Sequence, residues 1–321
     1  MIRRQVIKYL AGATVIGAMA PARAQERFPS RPITLVVPFA AGGGGDTTAR
    51  LLAKSLGDRL GGSVIVENRA GASGNIGAAY VMRSPPDGYT LLSLSSTYGI
   101  QASIDKMGFD PLEMQPIVLA TRDPLVLLVH PSAPWRTVVE LVAAARKTPD
   151  AISHGSAGAG SIAHLGMEEL GHITGARFLH VPYKGSSAAM TDLLGSNVQL
   201  VLTTTTFAGP YIKTGKVRAL GLSGSERLPA LPDVPTFNEQ GFAYSVFDWK
   251  AIAGPKGMPT ALVAKLNEEF DAILRSPAFA KRMEADGSSV VGGPPAQLAQ
   301  TLRSDMDRWK ALIKTANIRI E

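Results

Sequence analysis

Residues 33–68 read ITLVVPFAAGGGGDTTARLLAKSLGDRLGGSVIVEN, and this stretch decides the fold. It begins with an apolar, β-branched run of strand length at residues 33–38, and the glycine-rich turn 42–45 follows. Asp46 then opens a segment in which apolar residues recur at helical spacing until two glycines end it. A second strand is predicted at residues 64–66. The order strand, loop, helix, strand is typical of a parallel sheet in an α/β protein.

The same order of elements recurs later in the chain, although no sequence repeat of fixed period is present. A small-residue loop, SAGAGS at residues 156–161, again stands between a strand and a helix. The predicted elements of this half are strands at 125–129, 151–153, 178–181, 199–202 and 218–223, and helices at 135–147, 162–174 and 188–194. The recurrence is therefore one of architecture, and it indicates two similar lobes.

We expect an α/β fold of two lobes, each a mainly parallel sheet flanked by helices, with a ligand in the cleft between them. Lobe 2 is predicted to cover residues 125–235, because the proline-rich segment 228–235 resembles a connection between lobes. Lobe 1 is predicted to cover residues 25–124 together with 236–321. Its last part holds two strong helices without glycine, at 261–274 and 295–316, which can wrap back onto the first lobe.

The first 24 residues predict an export signal. Arg3 and Arg4 precede an apolar stretch at residues 9–19, and residues 22–24 fit a small-x-small cleavage pattern. The apolar stretch is shorter than the roughly 20 residues of a membrane-spanning helix. The string RRQVIK at residues 3–8 also resembles the twin-arginine export motif, so the sequence leaves the Sec and Tat routes open. Either route leads out of the cytoplasm, and we expect a periplasmic protein.

The composition excludes several classes of protein. The chain has 321 residues, 45% hydrophobic and 18% charged, which is enough for a large packed core and argues against disorder. It has no cysteine, which excludes disulfides, thiolate metal sites and cysteine nucleophiles. The formal net charge is +7, of which four positive charges lie in the predicted export signal. The balance that remains does not indicate a nucleic-acid partner.

The two small-residue loops are the best candidates for a binding site. Ligands of parallel α/β sheets bind at the carboxyl ends of the strands, where these loops lie. The helix that follows each loop exposes unpaired backbone N–H groups and a partial positive charge at its first turn. Glycines let these donors approach an anion closely. Two such helix ends that face each other across a cleft would clamp a carboxylate.

The catalytic and metal-binding interpretations have weaker support. Histidine occurs at five positions, His130, His154, His164, His172 and His180. His164 and His172 share a helix face but are too far apart for one metal ion, so structural roles are favoured. The string GAGS at residues 158–161 lacks the later glycine of a nucleophile elbow. Glu168 and Glu169 fit a solvated helix face. We therefore predict no enzyme activity, no metal and no cofactor.

Two polar features of the sequence each allow two interpretations. Asp46 fits a helix N-cap better than a general base, although it could serve as both in a polar cleft. The threonine run at residues 203–206 ends a predicted strand. It forms either a hydroxyl-rich part of the site or a turn on the hinge side, and we favour the site.

The motifs in combination resemble a known family, the tripartite tricarboxylate receptors, which are also called Bug-type (Bordetella uptake) solute receptors. The motifs of the first half are VPFAAGGG at residues 37–44 with Asp46, Ala49 and Arg50, VENRAG at 66–71, GNIG at 74–77 and PPDGYTLL at 85–92. Those of the second half are SAG at 156–158 with Gly160, His164 and Leu165, HVPYKG at 180–185 and LPDVPT at 231–236. The resemblance runs from about residue 28 to the C-terminus.

The resemblance implies a two-lobed, type II-like periplasmic binding protein without catalytic activity. It implies a carboxylate ligand, held by the two small-residue loops partly through bridging water, and specificity set by the ends of two strands. Carried onto this chain, the implied ligand-binding residues are Phe39, Ala40, Ala41, Gly42, Gly43, Asp46, Ser95, Thr97, Ser156, Ala157, Gly158, Gly160, Ser161, Thr203 and Thr204.

The chain departs from the family pattern at three places. It has Thr203-Thr204 where the family often has an acid followed by Asn, and the missing acid argues against an amino-acid ligand. Ala40 replaces a frequent Pro and Ala159 a frequent Asn, which weakens the expected polar contacts but leaves backbone donors in place.

The function predicted from the sequence is a monomeric receptor that captures a small organic acid for the membrane permease subunits of a tripartite transporter. A dicarboxylate, a tricarboxylate and an aromatic acid all remain open as ligands. The alternative is a ligand-sensing adaptor for a membrane signalling protein such as a sensor kinase, because both functions would use the same receptor.

Overall fold

The computed structural model describes residues 28–104, 107–318 and 320. The predicted export signal, residues 1–24, lies outside the described residues. Within the part of the chain that is described, no helix is long and apolar enough to cross a membrane.

The first part of the chain alternates strands and helices, as its sequence predicts. Its elements are β1 (Ile33–Val37), α1 (Gly44–Leu60), β2 (Val64–Asn68), α2 (Asn75–Met82), β3 (Thr90–Ser95), α3 (Thr97–Ser103) and β4 (Gln115–Val129). Strand β1 is parallel to both β2 and β3. Helix α1 begins at Gly44, two residues before the predicted start, because Gly43 has the extended conformation of an N-cap. The predicted strand–loop–helix–strand unit is confirmed.

The second part repeats this arrangement. Its elements are α4 (Val138–Lys147), β5 (Ser153–Ser156), α5 (Ile162–Thr174), β6 (Leu179–Pro182), α6 (Ser186–Leu194), β7 (Leu200–Thr204), α7 (Thr205–Lys213) and β8 (Arg218–Leu222). Strand β5 is parallel to both β6 and β7. Helix α5 has the predicted limits because Ser161 caps its first turn and Gly175, in a left-handed conformation, ends it.

The chain ends with β9 (Phe247–Gly254), α8 (Thr260–Leu274), α9 (Pro277–Ala285), β10 (Ser289–Val290) and α10 (Pro295–Thr315). The sequence pattern missed β9, whose Asp248 and Lys250 interrupt its apolar run. Both side chains are buried all the same. The strand order is β2-β1-β3-β9-β4-β7-β5-β6, with β8 and β10 also paired to β4.

Strand β4 joins the two halves of this curled sheet. Residues 115–124 pair with β9, whereas residues 125–129 pair with β7 and β8, all in antiparallel fashion. The sheet is therefore mixed, with parallel outer strands around the antiparallel β4 and β9. This correction to the expected mainly parallel sheets arises because both strands run between the halves. The α/β architecture with flanking helices is confirmed.

Two separate hydrophobic cores flank the point where β4 changes partners. One core packs β1 and α1 against α8, and the other packs β7 and α5 against α4. Phe237, Tyr244 and Val246 belong to the second core, although the sequence predicts that residues 236–321 lie in lobe 1. We propose that the chain crosses between lobes at 124/125 and at 246/247, which moves residues 236–246 into lobe 2.

Helix α10 contacts hydrophobic clusters of both halves. Leu298 and Leu302 pack with β3 and β9, while the fully buried Trp309 packs in the second core. Arg308 also donates to both carboxylate oxygens of Glu169 on α5, at 3.0 and 2.9 Å. The C-terminal helix therefore ties the two halves together on the outside of the crossing strands.

Candidate ligand-binding cleft

A cavity lies between the two halves, beside the crossing strands. Its empty volume, which includes open solvent at its mouth, is about 710 Å³. Its lining comes from both halves and consists of Val37, Pro38, Phe39, Ala40, Gly43, Gly44, Gly45, Asp46, Ser93, Leu94, Ser95, Thr97, Leu125, Ala157, Ser161, Ile162, Ala163, Ser186, Thr203, Thr204, Asp248 and Lys250. Ten of the predicted site residues are among them.

The first small-residue loop lies directly before α1, and its tip faces the cavity. Phe39, Ala40 and Gly43 line the cavity, as predicted. Gly42 does not, because its left-handed backbone (φ 82°) turns its N–H toward Asp46 Oδ2, at 2.9 Å. Ala41 also lies outside the lining. The backbone donors that remain at the cavity are those of the N-cap and first turn of α1.

Asp46 holds this loop in shape. Its carboxylate accepts hydrogen bonds from Gly42 N, from Asn68 Nδ2 and from Arg50 Nε, each at 2.9 Å. Burial by itself would raise the pKa of Asp46, but these hydrogen bonds outweigh it and hold the pKa below its ordinary value. An ionised carboxylate with all these partners supports the loop and is poorly suited to act as a base.

The second small-residue loop presents a different subset of its residues from the one predicted. Ala157 and Ser161 line the cavity, followed by Ile162 and Ala163 of the first turn of α5. Ser161 Oγ accepts from His164 N at 3.3 Å and so caps the helix.

Three predicted residues of this loop, Ser156, Gly158 and Gly160, face inward. Gly158 N donates to Ser156 Oγ at 3.1 Å, and Gly160 N donates to His164 Nδ1 at 3.0 Å. Both amides therefore have partners within the protein.

Three histidines stack behind the second loop. The rings of His164 and His180 are parallel with centroids 3.6 Å apart, and His154 stacks on His180 at 4.9 Å. His180 Nε2 lies 2.6 Å from Ser156 Oγ. Burial lowers the pKa of His180 to about 4 and that of His154 well below its ordinary value. His154 and His180 are therefore neutral at neutral pH, and the stack of three rings supports the loop.

Hydrogen bonds join the two halves beside the cleft. Ala40 N donates to Lys184 O at 3.4 Å, and Ser187 Oγ donates to Ala41 O at 3.2 Å. Two side chains of the first half, Ser73 and Gln101, also donate to the carbonyl of Ala159, at 2.6 and 3.1 Å. The structure is thus a closed form in which the loops of the two halves touch each other.

The threonine run divides between the two roles that the sequence left open. Thr203 and Thr204 line the cavity, as do Ser95 and Thr97 from the first half. Thr205 Oγ1 instead donates to Gly287 O at 2.9 Å, and Thr206 Oγ1 donates to Asp123 at 2.5 Å. The hydroxyl of Thr204 is buried without a hydrogen-bond partner.

The sequence pattern missed a buried charge cluster beside the cavity. Lys250 Nζ donates to Asp123 Oδ2 at 2.8 Å and lies 3.4 Å from Asp248 Oδ2. Burial would lower the pKa of Lys250, but the two carboxylates outweigh it and raise the pKa. Burial, together with nearby Asp123, raises the pKa of Asp248 above its ordinary value. An acid and a lysine two residues apart in an otherwise apolar segment, Asp248 and Lys250, are the signal that could have revealed this cluster.

Comparison with known proteins is consistent with this geometry. A family profile described as "Tripartite tricarboxylate transporter family receptor" matches residues 48–318. The chain belongs to this family. The fold is that of a periplasmic binding protein.

Relatives within the family match almost the whole chain. Protein BugT of Bordetella pertussis (strain Tohama I) is 33% identical over 310 residues, which cover 95% of each protein. The structure titled as the periplasmic binding protein BugD has 36% identity and a TM-score of 0.87, and covers 92% of this chain and 100% of its own.

A further structure, titled Rpa4515 of R. palustris with adipate, has 34% identity and a TM-score of 0.88. It covers 91% of this chain and 99% of its own. These matches confirm the Bug-type receptor and its fold. They also show that the chain belongs to a family of receptors, as the sequence predicts.

Proposed function

We propose that this chain is an exported periplasmic receptor that binds a small carboxylate between its lobes and delivers it to membrane permease subunits. Its family membership supports the receptor role, and the similar structure titled with adipate supports an organic acid as the ligand. The predicted export signal at residues 1–24 supports the location. No step of this function requires catalysis.

One observation carries the choice of an anion. The first turns of α1 and α5, from opposite lobes, both line the cavity, at Gly44 and Gly45 on one side and at Ile162 and Ala163 on the other. The first backbone N–H groups of a helix have no partner within the helix, and the helix dipole favours negative charge there. A carboxylate between these two helix ends would accept hydrogen bonds from both lobes and hold the cleft closed.

The binding free energy that such hydrogen bonds supply is adequate for a solute receptor. Hydrogen bonds to a charged group contribute about 1.5–3 kcal/mol each. Three or four of them would therefore reach the roughly 8 kcal/mol of a micromolar site only if closure of the lobes costs little. The contacts of Ala40, Ala41 and Ala159 between the two halves offset part of that cost, because they form when the lobes meet.

The direct test is a ligand screen on the mature chain, residues 25–321. Thermal-shift measurements would survey mono-, di- and tricarboxylic acids together with amino acids, sugars and polyamines, and calorimetry would follow each positive result. We expect stabilisation by at least one carboxylate. Tight binding of a neutral or cationic solute, with no response to any carboxylate, would overturn the proposal.

The position of the site is tested separately by Gly43→Glu. Gly43 has a negative φ of −79°, and the atom nearest to an added Cβ would be Ala40 O at 3.8 Å, so the fold should tolerate the side chain. Its carboxylate would lie where we propose the ligand's carboxylate, and binding should be lost. Gly108→Glu is the matched control, because Gly108 is exposed and has open space around it. Unchanged affinity in Gly43→Glu would contradict this placement.

A further inference from the structure

Negative charge exceeds positive charge in the cluster of ionisable side chains at the cavity. Among the residues that the structure describes, three charged side chains line the cavity, those of Asp46, Asp248 and Lys250. Asp46 has its counter-ion in Arg50, which points away into solvent. Lys250 is 2% exposed and faces two acids, Asp123 and Asp248. When all three groups are ionised, this cluster carries one net negative charge.

The positive charge of Lys250 is therefore already compensated. Asp123 is its closer partner and also accepts from Thr206 and Thr121, at 2.5 and 3.0 Å. Asp248 accepts from Ser96 Oγ at 2.5 Å and from Ser96 N at 3.3 Å. A ligand carboxylate near this cluster would meet an excess of negative charge, and the described part of the cavity lining holds no arginine or second lysine to balance it. Like charges brought together in a low-dielectric site repel strongly.

One uncharged donor in the cavity points to a ligand. Thr204 is a residue of the cavity lining and is only 6% exposed, and its Oγ1 atom is buried without a hydrogen-bond partner. A buried hydroxyl without a hydrogen bond costs free energy, which a bound acceptor would recover. Oγ1 lies beside Gly44, at the first turn of α1, so the acceptor that fits it is the same carboxylate that α1 would bind.

The remaining walls of the cavity hold no further charged side chain among the described residues. Their apolar part comprises Val37, Pro38, Phe39, Leu94, Leu125 and Ile162, and their hydroxyl residues are Ser93, Ser95, Thr97, Ser161, Ser186 and Thr203. The apolar part favours a hydrocarbon or aromatic body, and the uncharged hydroxyls supply no counter-ion to a second ionised group.

We propose that the ligand is a monocarboxylate with an uncharged, mainly apolar body, such as an aromatic or cyclic acid. The inference rests on the proposed function and goes further, because it assigns one carboxylate site to the cavity and excludes a second. The carboxylate binds the first turns of α1 and α5 with Thr204, and the negative cluster around Lys250 selects against further negative charge.

The test uses two matched pairs of ligands. The two members of a pair share the same carbon skeleton, and one member has a second carboxylate: benzoate with terephthalate, and hexanoate with adipate. Titration calorimetry on the mature chain at neutral pH will show which pair binds more tightly. In that pair, we expect the monocarboxylate to bind at least about tenfold more tightly than the dicarboxylate. Tighter binding of the dicarboxylate in either pair would overturn the inference.

Two variants separate the contributions. Asp248→Asn keeps a hydrogen-bonding group next to Ser96 and removes the excess negative charge, so it should shrink the ratio of monocarboxylate to dicarboxylate affinity several-fold. Thr204→Val keeps the shape and removes the free hydroxyl, so it should weaken both ligands of a pair by a similar factor and leave the ratio unchanged. Asp58→Asn, at an exposed position, is the control for Asp248→Asn. An unchanged ratio in Asp248→Asn would count against selection by charge.

The outcomes also distinguish this inference from the proposed function. Binding of citrate or malate, with none of the four paired ligands bound, would overturn the monocarboxylate and leave the carboxylate receptor standing. Failure of every carboxylate would overturn both.

Discussion

Closure of the cleft requires that position 44 have no side chain. Gly44, at the start of α1, packs against Thr204 of the opposite lobe, and a Cβ at position 44 would lie 2.5 Å from Thr204 Oγ1 and 3.4 Å from Phe207 Cβ. Ordinary van der Waals contact begins at 3.4 Å, so the Gly44→Ala methyl group would overlap Oγ1 by 0.9 Å. We predict that this variant weakens ligand binding, because the lobes must separate to admit the methyl group.

The size of the effect follows from the overlap. Overpacking a well-packed contact by one methyl group costs about 1–3 kcal/mol. If the cost arises only in the closed form, it weakens binding by about 5- to 150-fold, and the lower end applies if Thr204 rotates its hydroxyl away. The fold itself should not suffer, since alanine is a better helix former than glycine by roughly 1 kcal/mol.

The assay is a double-mutant cycle measured by calorimetry with the best carboxylate of the screen. Thr204→Ala removes Oγ1, so Gly44→Ala should cost much less affinity in the Thr204→Ala background than in the wild type. Gly209→Ala, in helix α7 and outside the cavity lining, is the matched control, because an added Cβ there has nothing within 4 Å. An equal loss in both backgrounds, or no loss at all, would refute the reasoning. Melting temperatures without ligand would show whether the variants remain folded.

Three further predictions concern stability, measured by urea unfolding. Lys250→Met leaves Asp123 and Asp248 without a cation and should lower the free energy of unfolding by about 3–5 kcal/mol. Lys256→Met, at an exposed ion pair, should lower it by less than about 1 kcal/mol. Equal losses in the two variants would contradict the prediction. The pKa of His180 is about 4 against an ordinary 6.5, so between these pH values the unfolded chain binds a proton that the folded chain does not. Stability should therefore fall from pH 6.5 to 4, and His180→Phe should reduce the slope; an unaltered slope is the opposing result. The pKa of Asp46 is lowered, so its contribution should be complete above the ordinary pKa of 3.8 and lost as the pH falls through the lower folded-state value. Asp46→Asn should thus be less stable than the wild type at pH 7 and approach it in acid; a difference that persists at low pH would argue for packing instead.

Local sequence patterns predicted the helices, strands and turns whose limits are set by residues close to them in the chain. The run 33–38, the glycine turn and α1 follow from β-propensity, turn chemistry and helical spacing. Helix α5 matches its prediction at both ends because Ser161 and Gly175 supply its caps. The small-residue loops were likewise visible as glycine runs, and both meet at the cavity.

The missed features depend on distant partners or on hydrogen bonds that residue composition does not reveal. Strand β9 carries Asp248 and Lys250, which single-strand patterning assigns to the surface. They are buried because Asp123, 127 residues from Lys250 in the chain, compensates the lysine in the neighbouring strand. Similarly, glycine content alone did not reveal that the amides of Gly42, Gly158 and Gly160 already have partners within their own loops.

The sequence by itself determined the receptor family, the α/β units and the two loops that approach each other, since these rest on short-range spacing and on a specific combination of motifs. Only the tertiary structure decided which loop residues face the cavity and that Lys250 is already balanced by two acids. The charge balance arises from contacts between residues more than 80 positions apart, such as Thr206 with Asp123, and the spacing of residues along the chain does not encode such contacts.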